Sequence, residues 1–166
     1  MFRQITPSQI PRNVFDLIGK RWFLLTAGAE TYNTMTASWG GFVRIWNADC
    51  VAVTVRPQRH TFSFMEANDT FTLSFFDELY RPALSFCGSH SGRNCDKASE
   101  TGLIPVSDDE CTYFEQADLV LFCKKIYTSD VRPENFTNRS VVEDFYPASD
   151  FHRLYVGKIE KVLFKD

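Results

Sequence analysis

Phe71-Thr72-Leu73-Ser74-Phe75 is the clearest strand in the chain. Its apolar side chains fall on every second residue, so an extended chain sends them all to one face and the hydroxyls to the other. Val51, Val53 and Val55 repeat the pattern against Ala52 and Thr54 in β-branched residues, and Pro57 ends that strand. Leu119 to Cys123 is apolar throughout, as a strand buried on both faces must be. Leu154 to Phe164 reads as a long final strand whose alternation Lys158, Glu160 and Lys161 interrupt. Arg21 to Gly28 and Phe42 to Trp46 complete a set of about six strands.

Helical signals are short and lie between strands. Thr61 to Ala67 is expected as two turns with Thr61 as N-cap. Arg81 to Cys87 has Pro82 in its first turn and Gly88 beyond its end. Cys95 to Thr101 is closed by Gly102. Residues 1–20 read as a lead-in with one helical turn near Val14 to Ile18. Regular βαβ spacing is absent, which excludes a doubly wound sheet. The expected fold is therefore mainly β: a closed or partly closed antiparallel barrel with short flanking helices, as one domain over residues 1–166.

Composition bounds the function. Hydrophobic residues make up 44% of the chain, enough for a folded core, and the 16 Phe residues offer flat surfaces for a planar ligand. The net charge of −3 argues against a general nucleic-acid binder, which needs a basic surface. No apolar run reaches the length of a membrane span, and Met1 to Pro11 lacks a signal-peptide core, so a cytoplasmic location is expected. The cysteine count of five is odd, which favours free thiols.

Four stretches have the residue types for chemistry. Asn33 to Gly41 packs hydroxyls and an amide around Met35, then adds Trp39 and two glycines; it offers donors to a phosphate or to the edge of a heterocycle, or is simply a polar strand entering a loop. Arg56-Pro57-Gln58-Arg59-His60-Thr61 places two guanidinium groups before a helix start, as a phosphate clamp or a solvated basic turn. Cys87 to Lys97 is a Gly- and Ser-rich loop with cations at Arg93 and Lys97, but without the spacing of a nucleotide-triphosphate loop. Asp150-Phe151-His152-Arg153 precedes the last strand, where His152 either meets a bound ring or is satisfied within the fold. No Gly-x-Gly-x-x-Gly follows a strand, so a dedicated nicotinamide-dinucleotide domain is absent.

Taken in order, N-T-M-T-A-S-W, R-P-x-R-x-T, C-G-x-x-S-G-x-x-x-D-K and D-x-H-R-L-Y-V-G-K-I resemble the flavin reductase-like family, which includes the flavoredoxins. The resemblance runs from about Trp22 to Val162. It implies a six-stranded Greek-key split β-barrel that binds FMN non-covalently, in a homodimer with each flavin near the interface. It implies that Asn33, Thr34, Met35, Thr36, Ala37, Ser38 and Trp39 line the isoalloxazine and part of the ribityl phosphate. Arg56, Arg59 and Thr61 match the phosphate-side motif, and Cys87, Gly88, Ser91 and Lys97 match a third flavin-contacting segment. His152 matches a histidine near the ring, the one candidate catalytic side chain. Asn94 departs from the Asp that the family often has there.

The residues agree with this picture. A phosphate bound by a net acidic chain needs local cations, which Arg56, Arg59 and Lys97 provide. Hydride chemistry resides in the flavin, so no catalytic triad or metal site is required. The expected activity is an NAD(P)H-dependent flavin reductase with the nicotinamide bound transiently. The alternatives are a flavoredoxin-like electron carrier fed by a partner protein, and a β-barrel binding module without redox chemistry.

Overall fold

The sheet is laid out by the alternation of the strands. The computed structural model describes residues 1–108 and 110–165. Along the chain run β1 (Arg3–Ile5), β2 (Phe23–Ala27), β3 (Asn33–Ala37), β4 (Gly40–Ile45), β5 (Ala48–Val55), α1 (His60–Ala67), β6 (Thr70–Phe75), α2 (Arg81–Ser89), α3 (Lys97–Thr101), β7 (Pro105–Asp108), β8 (Cys111–Phe114), β9 (Leu119–Asp130), α4 (Arg139–Phe145) and β10 (Arg153–Phe164). All six strands read from the sequence are present. The main sheet adds β3 and the short β1, and β7 with β8 forms a separate hairpin.

The sheet order is β3-β2-β6-β9-β10-β5-β4, with β1 paired to the far end of β10. β5 and β6 follow one another in the chain, yet the β9–β10 pair lies between them, which is Greek-key connectivity. The two edge strands, β3 and β4, are joined only by Ser38 and Trp39. Three Cα–Cα steps span at most about 11 Å, so the sheet must curl until its edges nearly meet. The result is a barrel with one seam that no hydrogen-bond ladder closes.

Phe23, Leu25, Val51, Val53, Val55, Phe71, Leu73, Phe75, Leu119, Leu121 and Tyr155 fill the inside. A second cluster of Leu24, Leu84, Cys87, Leu103, Phe114, Val120 and Phe122 covers the outer face beneath α2, α3 and the β7–β8 hairpin. The continuous apolar run of β9 is thus explained: Leu119 and Leu121 face one core, Val120 and Phe122 the other. No helix among the described residues is long and apolar enough to cross a membrane.

Local readings needed correction at the helices. Arg59 occupies the N-cap of α1, and Thr61 is a fully buried residue of its first turn. α2 continues two residues past Cys87 and includes Gly88, because Lys97 and Arg59 reach its last carbonyls. α3 begins at Lys97, since the Asp96 carboxylate takes the amides of Ala98 and Ser99. Gly102 adopts the left-handed conformation (φ 69°) expected of a helix-closing glycine.

The register of β9 against β10 shifts at Val156/Gly157 and at Ile159/Lys161, irregularities of the kind that bend long strands with a curling sheet. At the first shift a methyl on Gly157 would overlap the edge of the buried Phe71 ring. Gly157→Ala is expected to lower stability by roughly 1–3 kcal/mol, the usual cost of overpacking. A urea melt should show a lower midpoint at unchanged slope; an unshifted midpoint would mean that Phe71 yields freely.

Candidate functional site

β3 is an edge strand, so its outer side is free to be covered by helices. Thr36 donates from its hydroxyl to the Leu84 carbonyl, and Gly88 lies so close that an added Cβ would sit 3.3 Å from the Thr36 Cβ. Asn33 donates from Nδ2 to the Thr61 hydroxyl at 2.7 Å, tying β3 to the first turn of α1. Gly92 is pressed onto the Asn33 amide, where any side chain would collide. Three chain segments therefore converge on β3: the start of α1, the end of α2, and the loop from His90 to Asp96.

Three clefts open along this junction, of which one of about 300 Å³ beside Asn33, Thr34, Gly92 and Lys97 is also lined by Glu30 and Asp96. A seam cleft of about 250 Å³ runs over the barrel opening, lined by Met35 to Trp39, Thr54, Arg56, Arg59, Gly88 and His152. A basic cleft of about 230 Å³ is lined by Asn33, Met35, Gln58 to Thr61, Ser89 to Arg93, and Lys97. Met35 and Arg59 belong to both, so the two form one groove. A larger hollow of about 520 Å³ lies elsewhere, among Asp108, Glu110 and Glu160 beside Cys111, and takes in none of the motif residues.

The basic cleft has no carboxylate in its walls. Both terminal nitrogens of Arg59 donate to the Gly88 carbonyl at 3.0 Å. Buried Lys97 donates from Nζ to the carbonyls of Thr34 and Cys87, each at 2.8 Å. Burial, more than any neighbour, drives its pKa down to about 8. His60 is pushed below its usual value by burial, then by the charges of Arg93 and Lys97. No side chain caps the α1 N-terminus, which opens into the same cleft. Cations and a helix N-terminus that converge without a carboxylate have the electrostatics to suit an anion.

The seam cleft is different in character. Trp39, 43% exposed, packs edge-on to Phe145 at 5.4 Å and lies 5.2 Å from the His152 ring. His152 is buried, shares a 2.9 Å hydrogen bond between Nδ1 and the Tyr146 hydroxyl, and has its pKa lowered by burial to about 4. It is neutral at physiological pH, so it presents a fixed ring and no charge. The Thr54 hydroxyl is buried without a partner among the described residues, an orphaned polar atom in a cleft wall.

Most of the residues singled out from sequence meet here. Ser38, Arg59 and Lys97 lie along one groove, with Arg59 in both of its halves. Three are placed differently from their motif reading. Arg56 lines the seam cleft rather than the basic one, and its guanidinium is taken by the Asp150 carboxylate and the Phe145 carbonyl. Cys87 turns its thiol into the outer core, where burial raises its pKa to about 11, and offers only its carbonyl, to Lys97. Thr34 spends its hydroxyl on Thr26 and the Leu25 carbonyl. Among the residues that motif reading missed, Thr54 had a signal: with Val53 and Val55 facing inward, it must face out. Arg93 was noted only as a loop cation, and nothing local to Gln58 marks it.

The pKa of Lys97 gives a stability test. Below about pH 8 this amine is charged in both states and adds no slope. Between about 8 and its ordinary 10.5 the unfolded chain holds a proton that the folded chain has released, so stability rises with pH. The difference in unfolding free energy between the wild type and Lys97→Met should therefore shift by roughly 2–4 kcal/mol in favour of the wild type across that window. A difference independent of pH would show that burial does not perturb Lys97.

A family model described as a flavin reductase like domain matches residues 16–166. Curated protein sequences give no significant match. Among solved structures, the chain is similar to the flavoredoxin of Desulfovibrio vulgaris at 20% identity and a TM-score of 0.69, over 98% of this chain and 78% of that one. It is similar to an FMN-binding domain of a flavin reductases-like enzyme from Shewanella baltica at 14% identity and a TM-score of 0.70, over 99% and 77% of the two chains. An NADH:FAD oxidoreductase of Streptomyces globisporus, solved with NAD and FAD fragments, gives 16% identity and a TM-score of 0.63, over 85% and 72%. At such identities the likeness is one of fold.

Proposed function

We propose, from the premise that this chain belongs to the flavin reductase-like family, that it binds FMN in the groove over the barrel seam and works as an NAD(P)H-dependent oxidoreductase. The observation that carries the proposal is the basic cleft on an acidic chain, continuous through Arg59 with an aromatic-walled seam.

The residues present fit this group. Arg59, Arg93, Lys97 and the α1 N-terminus would hold the phosphate by charge-assisted hydrogen bonds. Met35 and Trp39 would pack on the apolar ring, and the lone Thr54 hydroxyl would meet a polar edge. Ser38 and Trp39 lie between β3 and β4, outside both ladders, so their backbone groups are free to face a heterocycle. Bound FMN supplies two-electron redox chemistry, which needs no acid–base pair from the chain. His152, fixed by Tyr146 and uncharged at neutral pH, serves as a wall of the site rather than as a proton donor.

The half-exposed faces of Trp39 and Phe145 (46% exposed) favour the reductase reading over an electron carrier, because they leave a flat apolar approach for a nicotinamide.

Arg59→Ala is expected to weaken FMN binding by roughly 1.5–3 kcal/mol, the scale of a lost charged hydrogen bond. Fluorescence titration of free flavin measures it, and unchanged affinity would remove Arg59 from the site. Stopped-flow mixing of the FMN-loaded protein with NADH or NADPH should bleach the visible flavin band. If neither nucleotide bleaches it while dithionite does, the chain is a carrier rather than a reductase.

A further inference from the structure

The sequence motif presents Arg56 as a partner of Arg59, but the fold uses it elsewhere. Between β9 and β10 the chain makes an excursion over residues 131–151 that carries α4 and ends at the seam cleft. From 131 to 145 it has no buried residue, so packing on the barrel does little to hold it. Phe151 stacks on Tyr146 and Phe136 packs tilted against both, a small kernel of their own.

What ties this excursion down is concentrated at the end of β5. Arg56 Nη1 donates to the Asp150 carboxylate, and Nη2 donates to the Phe145 carbonyl at 2.8 Å. The same guanidinium lies over the Tyr146 ring, 5.2 Å from its centre. Gln58 Nε2 donates to the Asp150 carboxylate at 2.7 Å. Together with a 3.5 Å bond from Arg56 Nη1 to the Asp150 carbonyl and the bond between Tyr146 and His152, these are the side-chain hydrogen bonds among the described residues between positions 132–151 and the rest of the chain. The partners they fix stand at the cleft: Phe145 packs on Trp39, and Tyr146 orients His152.

We propose that Arg56 is a positioning residue, a latch that holds the 131–151 excursion against the end of β5 and so sets the mouth of the seam cleft through Trp39 and His152. It does not bind phosphate; that task stays with the basic cleft, where Arg59 and Lys97 are. A planar guanidinium suits the latch because it spans a carboxylate and a carbonyl while keeping an aromatic face beneath it. Lysine would satisfy only part of that geometry. The latch itself consists of protein–protein contacts and stands whether or not FMN is the ligand; its separation from phosphate binding rests on the proposed function.

Hydrogen–deuterium exchange on the flavin-free protein tests the latch directly. In Arg56→Gln and in Asp150→Ala, amides of 139–149 should exchange at least tenfold faster, while those of 154–163 in β10 keep their protection. Arg56→Lys should fall between wild type and Arg56→Gln. FMN affinity, measured in parallel, should fall tenfold or more in Arg59→Ala and distinctly less in Arg56→Gln, which loosens the cleft mouth without removing a phosphate ligand. Unchanged exchange over 139–149 in both latch variants would overturn the proposal. So would an Arg56→Gln variant that loses FMN as fully as Arg59→Ala, since Arg56 would then be a phosphate ligand. If the wild type binds no FMN, the functional reading fails, and the exchange comparison still decides the latch.

Discussion

The site depends on how the C-terminus of α2 is satisfied. A helix ends with carbonyls that have no partner within it and with a partial negative charge. Here Lys97 takes the Cys87 carbonyl and Arg59 takes the Gly88 carbonyl. Both cations are thereby held half- or fully buried beside β3, and Lys97 also takes the Thr34 carbonyl of that strand. One arrangement caps a helix, laces it to the barrel edge and gathers positive charge at a groove. It also explains how a chain of net charge −3 gathers positive charge locally: the fold concentrates cations in a cleft whose walls hold no carboxylate.

The second constraint is covalent. β3 and β4 lie at opposite ends of the sheet order but only two residues apart in the chain. Closing that gap bends the sheet, leaves a seam without a ladder, and puts Ser38 and Trp39 across it. The groove therefore lies where the barrel is open, with its basic half over α1 and α2 and its aromatic half under the excursion between β9 and β10. In the proposed site, phosphate binding and ring packing thus fall to different structural elements that share Arg59 and Met35.

Much of this was legible in the sequence, for reasons that can be named. Period-two patterns located β5 and β6, and the unbroken apolar run of β9 reported burial on both faces, as its division between two cores bears out. β3 read either as a segment with chemistry or as a polar strand, because an edge strand covered by α2 on one side carries hydroxyls in place of alternating apolar residues. Arg56 looked like a second phosphate ligand because its partner Asp150 is 94 residues away, and only the fold brings the two together. Cys87 and Gly88 are adjacent in the motif, yet a helix turns them by about 100°, sending the thiol into the core while Gly88 lines the groove. Thr61 reads as a cap by its position, but Asn33, a residue distant in sequence, claims its hydroxyl.

A crystal structure of the protein soaked with FMN shows where the flavin sits. The phosphate is expected within hydrogen-bonding distance of Arg59 and the Lys97 amine, with the ring lying along Ser38 and Trp39. A flavin bound at another surface, or a phosphate held by Arg56 with the basic cleft left to solvent, would contradict that placement.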